Sequence, residues 1–131
     1  TFGADPVFGA VLNEAISELR EQKLAANSRE MGDYFLQSLR GACRDMQYVG
    51  DIRGLGLLVG VEFYNPGTGA VDPVFSKNVW KACENFGLLT LPSGIAVNRF
   101  APPLCVTRKH IDDAIVVFGK AYAEAVRNYM G

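Results

Sequence analysis

Histidine is nearly missing from this chain, which has one, His110, and its three cysteines, Cys43, Cys83 and Cys105, stand far apart. A structural zinc site pairs Cys and His ligands two to four residues apart, and His110 has no second histidine or cysteine at that spacing, so no metal is expected. An odd number of widely spaced cysteines is no disulfide framework either. Each lies among apolar neighbours in a periodic segment, as reduced core thiols of a cytoplasmic protein do. No apolar run approaches the ~20 residues that cross a bilayer, and no charged-then-apolar leader opens the chain. Neither sign of charge dominates: 13 basic and 14 acidic residues are scattered without long runs. That leaves no basic stripe for a phosphate backbone and no polybasic patch for anionic lipid, so neither nucleic acid nor membrane is an expected partner. Internal repeats and low-complexity tracts are also missing. There is no initiator methionine, and Thr1-Phe2-Gly3-Ala4 reads as loop, as expected of a fragment or processed piece.

What is present suffices for one domain. At 131 residues and 49% hydrophobic composition, the chain can bury about two thirds of the surface its unfolded form exposes. Asp5-Pro6 announces a first helix, because an Asp acceptor followed by a residue with fixed φ and no N–H suits a helix start. Phe8, Leu12, Ala15, Ile16 and Leu19 then recur at helical spacing to about Glu21. A second helix is expected over Asn27 to Met46, with Met31, Phe35, Leu39, Ala42 and Cys43 on its apolar stripe. Both helices are amphipathic and call for a partner surface.

From Tyr48 the period changes. Tyr48 to Arg53 and Leu55 to Tyr64 are rich in β-branched and large apolar residues broken by glycines, and read as two short strands or one bent strand. The run from Leu57 to Phe63 is apolar on both faces, as in a central strand covered by helices. A loop follows at Asn65 to Gly69. Asp72-Pro73 repeats the helix start, and the helix carrying Phe75, Val79, Cys83 and Phe86 stops at Gly87 in the C′ position. Leu88 to Leu91 is expected as a strand, Pro92-Ser93-Gly94 as a turn and Ile95 to Ala101 as a second strand, ended by Pro102-Pro103. Thr107 caps a last helix whose stripe includes Ile111, Ala114, Ile115, Phe118, Tyr122, Ala125, Val126 and Tyr129. The order ααββαββα defines an α+β fold, a small, mostly antiparallel sheet with helices packed on it.

Gly50, Gly54, Gly56 and Gly60 do not form a dinucleotide-binding loop, because a strand rather than a helix follows them. They suit tight bends and close approach. Arg99, between Asn98 and Phe100 at the end of a strand, carries two readings. Its guanidinium can offer a planar, two-pronged donor pair to a ligand carboxylate, or it can be an edge-strand arginine paired with a nearby Asp or Glu. Arg53 suits structural pairing with Asp51 or a helix end, and His110 falls in an exposed first turn. Lys23, Lys77, Lys81, Lys109 and Lys120 all fall on helices or helix ends. None is in a strand-end pocket where desolvation would prepare a Schiff-base lysine.

Four segments together resemble one family. Thr1-Phe2-Gly3-Ala4-Asp5-Pro6-Val7, Val49-Gly50-Asp51-Ile52-Arg53-Gly54-Leu55-Gly56-Leu57-Leu58, Gly87-Leu88-Leu89 and Arg99-Phe100-Ala101-Pro102-Pro103-Leu104 are similar, in order and spacing, to the C-terminal part of class III aminotransferases. The last block is most like the ornithine aminotransferase branch. Ala4-Asp5 departs from the commoner Gly-Asn while keeping a capping side chain.

The resemblance implies that residues 1–131 are the C-terminal small domain of a fold type I, pyridoxal 5′-phosphate-dependent transferase, with residues 1–21 the helix linking it to a large domain. It implies a homodimer that moves an amino group from an amine or amino acid to a 2-oxo acid, the cofactor supplying the chemistry. The threonine matching Thr1 would hydrogen-bond the cofactor phosphate of the neighbouring subunit, and the arginine matching Arg99 would hold the substrate α-carboxylate. The family's Schiff-base lysine lies upstream of the position of Thr1, so the chain alone is expected to be inactive, with no catalytic residue of its own. The rival reading is a free-standing α+β ligand-binding or regulatory module.

Overall fold

Two Asp-Pro pairs start two helices, as their chemistry dictates. In a computed structural model describing residues 5–130, Asp5 accepts the Val7 N–H at 2.9 Å and opens α1, Pro6–Glu21. Lys23 then takes a left-handed conformation, φ 52°, and α2, Leu24–Ala42, begins directly after it. The second helix thus starts and ends earlier than the sequence pattern suggests, because one strained joint lets the chain re-enter a helix without a side-chain cap. The hairpin β1, Val49–Leu55, and β2, Leu58–Phe63, turns at Gly56, whose φ is +54°. Asp72 caps α3, Pro73–Asn85, which ends before Gly87 at φ +80°. The strands β3, Leu91–Ser93, and β4, Val97–Phe100, precede α4, Arg108–Met130.

The sheet is fully antiparallel, in the order β1-β2-β4-β3. The strand expected at Leu88 to Leu91 begins only at Leu91, runs to Ser93 and takes in Pro92. Pro92 lacks a donor, and β3 tolerates it because it is an edge strand with only one neighbour. The turn occupies residues 94–96, with Gly94 at φ +58°, so the strand expected from Ile95 to Ala101 shortens to Val97–Phe100.

Val59, Val61 and Phe63 of β2, Ile52 of β1, and Asn98 and Phe100 of β4 are buried and face the helices. Met31, Phe35 and Leu39 of α2, Phe75, Val79 and Cys83 of α3, and Ile111, Phe118 and Tyr122 of α4 complete that core. Phe75 is its aromatic centre, stacked on Tyr48 at 4.3 Å and edge-on to Phe63, Tyr122 and Tyr129. Such pairs add about 0.5–1.5 kcal/mol beyond their buried area. The residues between, Leu58, Gly60 and Glu62, are not buried, so β2 alternates and is not covered on both faces as the apolar run suggested. All the helices that touch the sheet lie on one side, and the other side is open among the described residues.

The first helix has the stripe the sequence promises and almost nothing to bury it against. Among the described residues the one element it packs on is α2, and none of its residues is buried, leaving Leu12 57% and Ile16 44% exposed.

Asp72 ties the two ends of the helical layer together. Buried itself, it accepts the Phe75 N–H at 2.8 Å through one oxygen and the Tyr129 hydroxyl at 2.7 Å through the other. Asp72→Ala should therefore destabilise the fold by roughly 0.5–2 kcal/mol through the lost cap alone. Tyr129→Phe should have a measurably smaller effect, both read by urea unfolding. Equal effects would mean that the cap contributes nothing.

Candidate functional site

The open sheet face gathers the charged residues that the core cannot take. Because side chains alternate along a strand, burying Asn98 and Phe100 turns Val97 and Arg99 outward. Phe100 packs edge-on against Phe35 at 5.3 Å and Phe118 at 5.6 Å, which anchors the strand end that carries Arg99. In the ladder Arg99 faces Gly60 of β2 on one side and Leu91 of β3 on the other. Gly60 has no side chain, and a depression of about 400 Å³ opens there, lined by Arg53, Leu55, Leu58, Gly60, Val97 and Arg99 among others.

The two arginines of this depression are in opposite electrostatic states. Arg53 donates through Nη1 to Asp51 at 2.7 Å and to Glu62 at 2.9 Å. The hydrogen bond to Glu62, then that to Asp51, pushes its guanidinium further above its ordinary range. Its structural pairing with Asp51 was expected; Glu62 is a second partner. Arg99 forms no ion pair among the described residues, and its Nε is buried without a hydrogen-bond partner. Nor is it on an edge strand, since β4 lies between β2 and β3. A buried N–H donor without an acceptor is costly and uncommon. Of the two readings of Arg99, the ion-paired edge arginine is not what the described residues form.

The other candidates stand apart from this face. All five lysines are exposed, Lys77, Lys81, Lys109 and Lys120 on helices and Lys23 at the joint before α2. His110 is exposed, and its Nδ1 accepts the Thr107 N–H at 3.3 Å to close the first turn of α4. Burial pushes the Cys43 and Cys83 thiols up to about 11, as suits inert core thiols, but Cys105 is exposed in the loop after β4 and does not belong to the core. Thr1 lies outside the described residues. Sequence reasoning missed Asn27, whose side-chain amide donates to the carbonyls of Leu104 at 2.6 Å and Val106 at 3.1 Å and ties down the loop beyond Arg99. It also missed Glu62, and it read Gly60 only as a bend or close-approach glycine, because their places beside Arg99 come from the register of β2 against β4.

Residues 1–122 match the family described as Aminotransferase class-III, and the chain belongs to that family. It is 35% identical over 123 residues to an ornithine aminotransferase of Plasmodium falciparum, across 92% of this chain and 28% of that relative. It is also 35% identical over 121 residues to an acetylornithine aminotransferase of Methanosarcina acetivorans, with the same coverage of 92% and 28%. A transaminase structure from the marine bacterium Virgibacillus superposes with a TM-score of 0.90 at 28% identity, over 100% of this chain and 31% of its own. The chain thus spans 28% of the length of the two curated relatives.

Proposed function

We propose that this chain acts as the C-terminal small domain of a pyridoxal-phosphate-dependent aminotransferase, and that Arg99 receives the carboxylate of its amino acid and 2-oxo acid substrates. The observation that carries this reading is Arg99, which has an unpartnered Nε and no ion pair among the described residues and lines an open depression, while Arg53 beside it is paired with two carboxylates. A guanidinium fork matches a carboxylate in plane and spacing, and gives two parallel charge-assisted hydrogen bonds. Leu55, Leu58 and Val97 line the same depression and place apolar surface beside those donors.

Pyridoxal phosphate supplies, when bound, the electron sink for amino-group transfer. The described residues do not fit it by themselves, because every lysine is exposed on a helix or helix joint and none faces the depression. No step through the cofactor is assigned to them. Thr1 is proposed to contact the cofactor phosphate of a neighbouring subunit, supported by the resemblance of residues 1–7 alone. Residues 1–21 are proposed to lead into a large domain that covers α1 and the open sheet face, within a homodimer. The exposed apolar stripe of α1 supports that arrangement. A cytoplasmic setting is proposed as well, supported by three free thiols.

Borohydride reduction in the presence of pyridoxal phosphate tests the division of labour. This chain should give no stoichiometric adduct at any single lysine. A polypeptide that also carries the large domain should give one, at a lysine outside these 131 residues. A stoichiometric adduct on any of the five lysines here would contradict the proposal.

A further inference from the structure

Asp51, Arg53, Glu62 and Arg99 share the open face, and the ladder fixes their order. Arg53 faces Gly60 from β1, Arg99 faces Gly60 from β4, and Glu62 lies two residues beyond Gly60, between Asp51 and Val97. Glu62 is thus a diagonal neighbour of both arginines. Diagonal neighbours in an antiparallel ladder are about 7–8 Å apart, within reach of long side chains. Position 60 itself carries no side chain, and what lies over it is apolar: the Val97 Cγ1 would be 3.1 Å from a Cβ there, so no charged group stands between Glu62 and Arg99. Even so, Glu62 bonds Arg53 at 2.9 Å, and Arg99 forms no ion pair among the described residues.

We infer that Arg53 is a positioning residue that holds Glu62 away from Arg99, so that the Arg99 guanidinium stays open to an incoming substrate carboxylate. Asp51 and Glu62 are opposite each other in the ladder and repel, and the Arg53 guanidinium between them satisfies both. Once that cation is removed, the only other cation diagonal to Glu62 on this face, among the described residues, is Arg99. A tethered carboxylate acts at high effective concentration, so it competes with a free substrate for the same fork. The inference rests on the reading of Arg99 as the carboxylate receptor.

The test uses the full-length enzyme and four variants. Because the competition is confined to enzyme without substrate, Arg53→Gln should raise KM for the 2-oxo acid by about tenfold, equivalent to about 1.4 kcal/mol, and leave kcat unchanged. Arg53→Lys keeps a cation beside Glu62 and should stay within about twofold of the parent, well under that 1.4 kcal/mol step. The double variant Arg53→Gln with Glu62→Gln should return KM to the same range, which a merely structural role of Arg53 would not allow. An unchanged KM in Arg53→Gln, or a raised KM that persists in the double variant, overturns the inference. Arg99→Lys run in parallel separates the two claims. If it raises KM while Arg53→Gln does not, only the sequestering role falls; if it leaves KM unchanged, the reading of Arg99 falls and takes this inference with it.

Discussion

Arg99→Lys in the full-length enzyme is expected to raise KM for α-keto and α-amino acids by about ten- to a hundredfold, the range set by the ~1.5–3 kcal/mol of a charged hydrogen bond. Lysine keeps the charge and loses the fork. The native side chain brings a planar donor set, with Nε buried and unsatisfied, to the open face of an interior strand, and an ammonium cannot reproduce two parallel bonds to one carboxylate. Thermal stability should hardly change, because Arg99 forms no ion pair among the described residues. A large fall in melting temperature with KM unchanged would make Arg99 a structural residue.

The second large effect concerns folding. Gly32 is buried in α2, and a Cβ placed there would be 2.2 Å from the carbonyl oxygen of Gly56 and 2.6 Å from its Cα. Those atoms are backbone, in a turn already at φ +54°, so neither side can yield by rotating a side chain. Gly32→Ala must lift α2 off the β1–β2 hairpin and open the contacts around Leu57 and Val59. A loss of about 3 kcal/mol or more is expected, at or beyond the upper end for overpacked cores. Gly41→Ala is the matched control on the same helix. Its Cβ would meet nothing within 4 Å, and alanine should stabilise the helix by roughly 0.5–1 kcal/mol. Urea unfolding of the two variants should move the midpoint in opposite directions; equal shifts would remove the close-approach argument.

These two sites differ in how far the sequence announces them. The order of elements was legible because its signals are local: Asp5-Pro6 and Asp72-Pro73 start helices, Gly87 stops one, and the apolar stripes of α2, α3 and α4 mark the buried faces except at Ala42 and Phe86, which are exposed where α2 and α3 end. Strand bounds were less legible, since Pro92 reads as turn unless β3 is known to be an edge. Which face of β2 is covered could not be read from an apolar run, because the answer depends on all the helices packing on one side. Arg99 stood out as a candidate. Its lack of a carboxylate among the described residues, and the second carboxylate, Glu62, at Arg53, follow from register across three strands, which no local pattern encodes; only the Arg53 pairing with Asp51, two residues away, was local. The contact of Gly32 with Gly56 is likewise a meeting of residues from different elements, and Cys105 escaped the core because Pro102-Pro103 leads the chain out along an exposed loop.

The most direct test of the central claim is the rate of each half-reaction, followed separately in the full-length enzyme and its Arg99→Lys variant. The donor should be an amine without an α-carboxylate and the acceptor a 2-oxo acid. If Arg99 receives the substrate carboxylate, the variant's apparent affinity for the 2-oxo acid falls by about ten- to a hundredfold, while the amine half-reaction loses much less. Equal losses in both half-reactions, or no loss in either alongside a lower melting temperature, would contradict the account.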